Sequence, residues 1–411
     1  MTHQELTAFL GGWEGYALGT VGRMEPDEEQ GRTEAEYWLE LLPCSSQQMR
    51  CSGCGEAVDA VHDVTERWVR DLPILGTAVW LCVHRRRMAC PRCGPKLEQL
   101  DWLGRYRRVT SRLAESVARL CRTLPIKHVA EYFGLHWNTV KAIDKAYLAA
   151  TLGSVDLRNV ETIAMDEFAI QKGHRYATVV VDPATKRVLW TGRGRGREDV
   201  RPFFELLGEA GRQRLQAVAM DMNPAYEEEV RSQCPAAEVV YDLFHVVAKF
   251  SREVIDRVRV DEANRLKRDK PARKIVKSAR WLLLRNRENV KPADRVRLAE
   301  LLRANRRLLT VYVLKDDLKR LWRYTYTAAA RRFWRQWYHR AIRSRIEPLK
   351  KFARNLKHRL DGVLAHCRWP LHTSLLEGIN NKIKVLKRMA YGYRDDQYFF
   401  LKIRQAFPGI R

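Results

Sequence analysis

Residues 215–245 constrain the fold of this chain more than any other stretch. They read LQAVAMDMNPAYEEEVRSQCPAAEVVYDLFH, which predicts a strand, a helix and a second strand. Asp221 follows the first apolar run, and the Asn-Pro pair behind it supplies a helix N-cap. Asp242 follows the second run, and His245 lies one helical turn further on. Two carboxylates and a histidine at neighbouring strand ends indicate a metal-dependent phosphate site.

The strands upstream of this stretch extend the same sheet. Apolar runs of strand type cover residues 160–165, 176–181 and 187–191, and a helix is predicted over 198–211. The order is therefore β-β-β-α-β-α-β, that of an RNase H-like core with three antiparallel strands followed by two parallel ones. In that arrangement the first and fourth strands are neighbours. Asp166, which follows the first run, is then expected beside Asp221.

A glycine-arginine loop, GRGRGR, separates the third run from the helix. It lacks the G-x-G-x-x-G spacing of a dinucleotide-binding loop. Its three arginines favour contact with a DNA backbone instead. We expect Arg193, Arg195 and Arg197 to bind DNA.

Paired CxxC motifs lie near the N-terminus, and each has a glycine after its second cysteine. Four thiolates satisfy the tetrahedral preference of zinc. The motifs predict a zinc ribbon with the ligands Cys51, Cys54, Cys90 and Cys93. The alternative is two unrelated cysteine pairs.

Other residues of the ribbon are also candidates for function. The ribbon strand carries Arg85, Arg86 and Arg87, which we expect to hold phosphates. The roles of Cys44, Cys82 and His84 stay open, and Cys82 is favoured as a core residue.

Residues 126–143 predict a helix-turn-helix, with glycine at the turn. Val140 and Ile143 are expected to seal the two helices together. The second helix would then present four polar residues to a DNA groove, and a plain helical hairpin is the alternative. These four residues are His136, Asn138, Thr139 and Lys141.

Most of the net charge of +26 lies between residues 251 and 360, where 34 Lys and Arg stand against 11 Asp and Glu. This excess indicates a nucleic-acid surface on a segment that is helical and interrupted by prolines. One tryptophan of this segment is expected to stack on a DNA base, whereas the others are expected to pack in the core. Trp334 and Trp337 are the favoured candidates, with Trp281 and Trp322 behind them.

Several classes of protein are disfavoured. No apolar run is long enough to span a membrane, and the N-terminus lacks the layout of a secretory signal. A cytoplasmic, nucleoid-associated protein is therefore expected. Nine cysteines in such a chain favour metal binding over disulfides.

Taken together, these motifs resemble a DDE-type insertion-sequence transposase of the ISL-three family, a bacterial DNA-cutting and DNA-joining enzyme. The resemblance rests on the paired CxxC motifs and on five further segments. These are VAEYFGLHWNTVKAIDK, AMDEFAIQKGHRYATVVVD, AMDMNPAY, YDLFH and HTSLLEGINNKIKVLKR.

The resemblance implies a catalytic triad of Asp166, Asp221 and Glu377 that holds two Mg²⁺ or Mn²⁺ ions. Asp242 and His245 match a D-x-x-H signature of some relatives and are added to the catalytic set. Taken alone, Glu377 also fits a capping box with Ser374, and Asp242 fits a helix N-cap.

The expected fold is multidomain α/β, with a zinc ribbon, a helix-turn-helix and an RNase H-like core interrupted by an all-α insertion.

The expected partners are double-stranded DNA, as terminal inverted repeats and as target, and a second copy of the chain that pairs two ends. The alternatives are a non-catalytic DNA-binding regulator and a nuclease acting on branched substrates. The expected segments are a lead-in (1–43), ribbon (44–104), helix-turn-helix (105–153), first core part (154–245), basic insertion (246–370) and C-terminal core part (371–411).

Overall fold

The computed structural model of this chain divides into two compact units, each with its own core. None of the described helices is long and apolar enough to cross a membrane. The units are Met1–Gly153 with Met389–Tyr391, and Ser154–Arg388 with Gly392–Arg411. The structure describes residues 5, 9–29, 32–45, 47–104, 107–171, 173, 175–285, 287–371 and 374–410.

The N-terminal unit is built on a sheet with the strand order β1-β2-β6-β5, and β7 pairs with the end of β6. Its strands are β1 (Tyr16–Met24), β2 (Glu36–Pro43), β3 (Met49–Arg50), β4 (Ala57–Val58), β5 (Val61–Ile74), β6 (Thr77–Cys90) and β7 (Gly94–Leu97). Strand β2 runs parallel to β6, so the expected lead-in and the expected ribbon share one sheet. The boundary drawn at residue 43 crosses this sheet.

Three helices complete the N-terminal unit and confirm the helix-turn-helix. They are α1 (Ser111–Leu120), α2 (Ile126–Phe133) and α3 (Trp137–Leu152). Gly134 ends α2 with a φ of 59°, in the left-handed conformation that glycine adopts without strain. Val140 and Ile143 are buried against Val129 and Phe133, as the sequence predicts.

The second unit contains a sheet with the order β10-β9-β8-β11-β12. Its strands are β8 (Thr162–Gln171), β9 (Arg175–Asp182), β10 (Arg187–Arg193), β11 (Ala217–Met220) and β12 (Glu238–Tyr241). Strands β8, β9 and β10 are antiparallel, and β11 lies parallel to both β8 and β12. This is the predicted RNase H-like order. Strand β8, however, continues beyond Asp166 because residues 166–171 still pair with β9.

Helices link the parallel strands and then form a long segment between β12 and the C-terminal region. The linking helices are α4 (Arg197–Arg214) and α5 (Pro224–Gln233). The segment contains α6 (Leu243–Phe250), α7 (Arg257–Arg265), α8 (Lys270–Ser278), α9 (Arg280–Leu284), α10 (Pro292–Ala304), α11 (Arg306–Arg320), α12 (Thr327–Arg343), α13 (Glu347–Lys357) and α14 (Leu360–Leu364). Pro271, Pro292 and Pro348 lie in the first turns of α8, α10 and α13, where a missing N–H costs little.

The helical segment shares its core with the sheet. One buried cluster runs from Val218 and Met220, on one face of the sheet, through Phe250 to Trp337 and Phe352. The segment is therefore packed onto this face rather than folded around a core of its own.

The opposite face of the sheet is covered by α15 (Ser374–Met389) and α16 (Asp396–Ala406). Leu376, Ile379 and Ile383 of α15 are buried against small residues of the sheet such as Ala164 and Ala219. Their spacing of three and four residues places them on one side of the helix. This packing fixes which side of α15 faces away from the core.

Replacing Ile379 with alanine should destabilise the second unit by about 2–5 kcal/mol, because Ile379 is 2% exposed and alanine would leave a cavity under α15. Val385→Ala is the matched control, since Val385 is on the same helix and is 50% exposed. Urea unfolding of both variants measures the difference. Equal midpoints for the two variants would contradict the packing of α15.

Candidate active site and nucleic-acid interface

Three acids form a row across the parallel strands of the second unit. In the register of β8 and β11, Ala219 lies opposite Ala164, and in that of β11 and β12, Met220 lies opposite Tyr241. Continuing these registers places Asp221 beside both Asp166 and Asp242. Neighbouring strands are about 4.8 Å apart, so adjacent carboxylates are close enough to interact.

The row faces α15. Side chains alternate between the two faces of a strand, and Ala164, Ala219 and Val240 belong to the core under α15. Asp166, Asp221 and Asp242 each lie two residues beyond one of these and so share that face. A contact confirms this for the first acid, because Asn380 Nδ2 donates a hydrogen bond of 2.7 Å to Asp166 Oδ2.

The environment of these carboxylates opposes their negative charge. Burial, together with the neighbouring carboxylates of Asp221 and Glu167, raises the pKa of Asp166 to about 6. Burial and the charge of Glu167 also raise the pKa of Asp221. Like charges gathered in a buried place favour the binding of a cation.

Asp242 and His245 lie beside this pair, and Asp242 also has a structural role. Its carboxylate accepts a hydrogen bond of 2.9 Å from the backbone N–H of Phe244 and so caps α6. His245 Nδ1 lies 3.5 Å from Asp242 Oδ2. The positive charge of His245, when present, acts on Asp166 and Asp221 and opposes the rise of their pKa values.

Glu377 reaches the same place from α15, one helical turn before Asn380. Both residues line a cleft of about 1590 Å³ together with Asp166, Asp221, Asp242 and His245. Glu377 is exposed, and its carboxylate is not gathered with those of Asp166 and Asp221 into a metal-type cluster of the described chain. The side chain of Ser374, the partner in the alternative capping box, lies outside the described residues.

Residues of the helical segment line the same cleft. Arg252, Arg285 and Arg323 are among them, so basic residues share the cleft with the acids. Trp281 also lines the cleft and is 67% exposed, with the Arg280 guanidinium 5.3 Å from its ring centroid. An exposed tryptophan in a basic cleft is suited to stacking on a nucleic-acid base.

The prediction that Trp334 or Trp337 faces DNA is wrong in this structure. Both side chains are buried, and their rings stack at a centroid distance of 5.1 Å. Trp337 Nε1 donates a hydrogen bond of 2.8 Å to the carbonyl oxygen of Leu314. The sequence showed four tryptophans on amphipathic helices, and only packing distinguishes Trp281 from the two core residues.

The arginines of the glycine-arginine loop are ion-paired with acids of the protein. Arg193 pairs with Asp396, Arg195 with Glu167 and Arg197 with Glu229. Arg195 also lies 4.1 Å from the ring centroid of Tyr176, and Asp199 accepts hydrogen bonds from the loop backbone. The loop is held in place, and its arginine side chains are still partly exposed.

The four CxxC cysteines converge. Cys51, Cys54, Cys90 and Cys93 have sulfur atoms within 4.8 Å of one another, and no other metal-type group of three or more such residues occurs in the part of the chain described. Gly55 and Gly94 adopt positive φ angles, as expected for the tight turns. Hydrogen bonds from the backbone N–H groups of Cys54 and Gly53 lower the pKa of Cys51 to about 7, which favours the thiolate form that zinc binds.

The ribbon arginines are mostly structural, contrary to prediction. Arg85 and Arg86 are 1% and 8% exposed, and Arg86 forms an ion pair of 2.8 Å with the buried Glu98. Consecutive residues of a strand point to opposite faces, so both faces of β6 are covered at this point, and neither side chain is at a surface that phosphates reach. Arg87 is partly exposed and pairs with Asp63. The spare candidates Cys44, Cys82 and His84 lie outside the four-cysteine group.

Helix α3 presents the polar residues that the sequence predicts. His136, Asn138 and Thr139 are exposed and Lys141 is half-buried. His136 Nδ1 accepts a hydrogen bond of 3.3 Å from the backbone N–H of Asn138 and so caps the helix. Trp137, which sequence reasoning did not select, is 52% exposed at the same end.

Comparison with family models assigns the three parts of the chain. Residues 163–403 match a family described as "Transposase", in its ISL3 form. Residues 98–148 match the "Helix-turn-helix domain of transposase family ISL3". Residues 47–93 match the "zinc-finger of transposase IS204/IS1001/IS1096/IS1165".

Curated relatives extend over nearly the whole chain. The transposase for insertion sequence element IS1001 of Bordetella parapertussis is 56% identical over 410 residues, covering 100% of this chain and 99% of that protein. The transposase for insertion sequence element IS1557 of Mycobacterium tuberculosis is 28% identical over 417 residues, covering 94% and 92%.

The four-cysteine group predicts a specific metal content. Cys51→Ser should lose zinc and unfold the ribbon, because three thiolates do not complete the tetrahedral site. Cys44→Ser is the control, since Cys44 is near in sequence and outside the group. Metal analysis of the purified variants should give about one zinc per chain for wild type and Cys44→Ser. Loss of zinc from Cys44→Ser would contradict the assignment.

Proposed function

The chain belongs to the ISL3 family of transposases, and on that premise we propose that it binds the terminal inverted repeats of an insertion sequence and cuts and joins DNA with Asp166, Asp221 and Glu377. The observation that carries this proposal is the row of acids across β8, β11 and β12 in a cleft that Glu377 also lines. A DNA-binding regulator has no need of such a row.

The residues of the cleft fit divalent cations such as Mg²⁺ or Mn²⁺. These hard ions prefer carboxylate oxygens, and burial of Asp166 and Asp221 disfavours two uncompensated negative charges. Asp166, Asp221 and Glu377 would hold these ions through their carboxylate oxygens. Because Glu377 is exposed, its side chain can change rotamer toward the other two acids without disturbing the core.

When bound, the two ions activate the attacking oxygen and stabilise the leaving oxygen of a phosphodiester. In the first step a water oxygen attacks phosphorus at the transposon end, and the bond to the 3′ oxygen breaks to leave a 3′-hydroxyl. In the second step that hydroxyl attacks a phosphorus of target DNA, and a new P–O bond forms as the bond from that phosphorus to the target's own 3′ oxygen breaks. The transposon end is then joined to the target, and the target strand is left with a free 3′-hydroxyl. His245 contacts the scissile phosphate or moves a proton there, and Asp242 orients it.

DNA recognition is divided among the other parts of the chain. His136 at the N-cap of α3, together with Asn138, Thr139 and Lys141 within the helix, contacts base edges or phosphates in a groove of the terminal repeat. The zinc ribbon supports this unit. A homodimer that pairs two DNA ends completes the proposed assembly.

Around the active site, the DNA contacts come from the basic residues of the cleft and from the partly exposed arginines of the loop. In the proposed catalytic part, residues 154–245 and 371–411 together form the RNase H-like core. Residues 246–370 form the basic insertion, packed on one face of the sheet.

Asp166→Ala should reduce nicking of a duplex carrying the terminal repeat by about 10³-fold or more, because metal-ion catalysis supplies several kcal/mol. Glu238→Gln is the control, since Glu238 starts β12 at the end of the sheet away from the acid row and pairs with Arg368 on the surface. The measurement is magnesium-dependent strand cleavage on a gel. Equal cleavage by Asp166→Ala and wild type would contradict the proposed mechanism. Equal cleavage of unrelated branched DNA would favour a nuclease instead.

Trp281→Ala should weaken cleavage or end binding by roughly 5- to 150-fold, since stacking on one base contributes about 1–3 kcal/mol. Trp281→Phe should retain much of the effect because it keeps an aromatic face. Gel-shift titration with the terminal repeat gives the affinities. If Trp281→Ala binds and cuts the end as wild type does, Trp281 does not face the DNA.

A further inference from the structure

Asn380 is joined to the first acid of the row and has no role in the mechanism above. It lies on α15, one turn after Glu377, and its Nδ2 donates a hydrogen bond of 2.7 Å to Asp166 Oδ2. A carboxylate oxygen only accepts hydrogen bonds, so the amide nitrogen must be the atom that faces Asp166. The orientation of the amide group is therefore determined, and Oδ1 points away from this bond.

The other half of the amide is unsatisfied. Asn380 Oδ1 is buried and has no hydrogen-bond partner in the part of the chain that the structure describes. Asn380 also lines the cleft with Asp166, Asp221 and Glu377. A buried acceptor without a partner costs folding free energy, so its presence calls for something that donates to it or binds it. Amide oxygens are ordinary ligands of hard divalent cations.

We propose that Asn380 is a further residue of the divalent-cation site, where Nδ2 positions the carboxylate of Asp166 and Oδ1 serves as an additional oxygen ligand. This inference rests on the proposed function, because it requires that Asp166 holds an ion. It also explains the tie between α15 and β8, since one side chain links the helix that carries Glu377 to the strand that carries Asp166.

The test measures Mn²⁺ binding to the full chain with zinc in place and without DNA, by electron paramagnetic resonance of the free ion. Asn380→Leu has a similar size and lacks both polar atoms. It should weaken Mn²⁺ binding by about tenfold or more, as loss of a residue that orients a ligand does. Asn381→Leu is the matched control because it makes the same change at the next position, which is exposed, and Mn²⁺ binding should stay at the wild-type value.

Asn380→Asp separates the two roles of the amide. It keeps an oxygen at the Oδ1 position and adds negative charge, so it should bind Mn²⁺ at least as tightly as wild type. Circular dichroism and thermal melting establish that each variant is folded. If Asn380→Leu does not fold, the Mn²⁺ affinity of Asn380→Asp is the test of Oδ1 as a ligand.

The outcomes distinguish this inference from the proposed function. Wild-type Mn²⁺ affinity in folded Asn380→Leu would overturn both roles of Asn380. Binding by Asn380→Asp as weak as in a leucine variant that has lost affinity would overturn the role of Oδ1 as a ligand. Asp166→Ala should abolish tight Mn²⁺ binding. Wild-type affinity in Asp166→Ala would instead overturn the ion site of the proposed function.

Discussion

The parallel pairing of β8 with β11, continued by β12, is the constraint on which the catalytic unit depends. The backbone ladder places Asp166, Asp221 and Asp242 at one level on one face, although carboxylates repel one another and burial raises the pKa of Asp166 and of Asp221. The sheet holds them there because its backbone hydrogen bonds and its buried apolar residues stabilise the fold enough to offset the destabilising effect of the neighbouring acids. A site that is costly without a ligand gains affinity for a ligand of opposite charge.

The second constraint is the apolar side of α15. Leu376, Ile379 and Ile383 pack against alanines of the sheet, and small residues allow the helix to approach closely. This packing determines the rotation of α15 about its axis. Glu377 and Asn380 then face the cleft, and the hydrogen bond from Asn380 to Asp166 ties helix and strand together. Glu377 is far from the other acids in sequence, and its position in the cleft depends on how α15 packs on the sheet.

The helical segment between these two parts serves the site in two ways. Its apolar residues, including Trp334 and Trp337, extend the core from one face of the sheet. Its polar residues supply basic side chains and the exposed Trp281 to the cleft. Basic side chains in the same cleft as a row of acids suit a polyanion that must approach carboxylates, because their positive charge offsets the repulsion between carboxylates and phosphate.

The sequence by itself determined the features that depend on local pattern: the cysteine spacing, the glycine turn of the helix-turn-helix, and the strand order that makes β8 and β11 neighbours. These could be predicted because turn chemistry, metal-ligand spacing and apolar periodicity act over short distances. Only the tertiary structure decided which side chains face inward. Arg85 and Arg86 are buried on Glu98, the loop arginines are paired with acids, and Trp281 rather than Trp334 or Trp337 is exposed. It also decided that Asn380 contacts Asp166, because a contact between residues so far apart along the chain depends on how a helix packs on a sheet, and no local pattern records that.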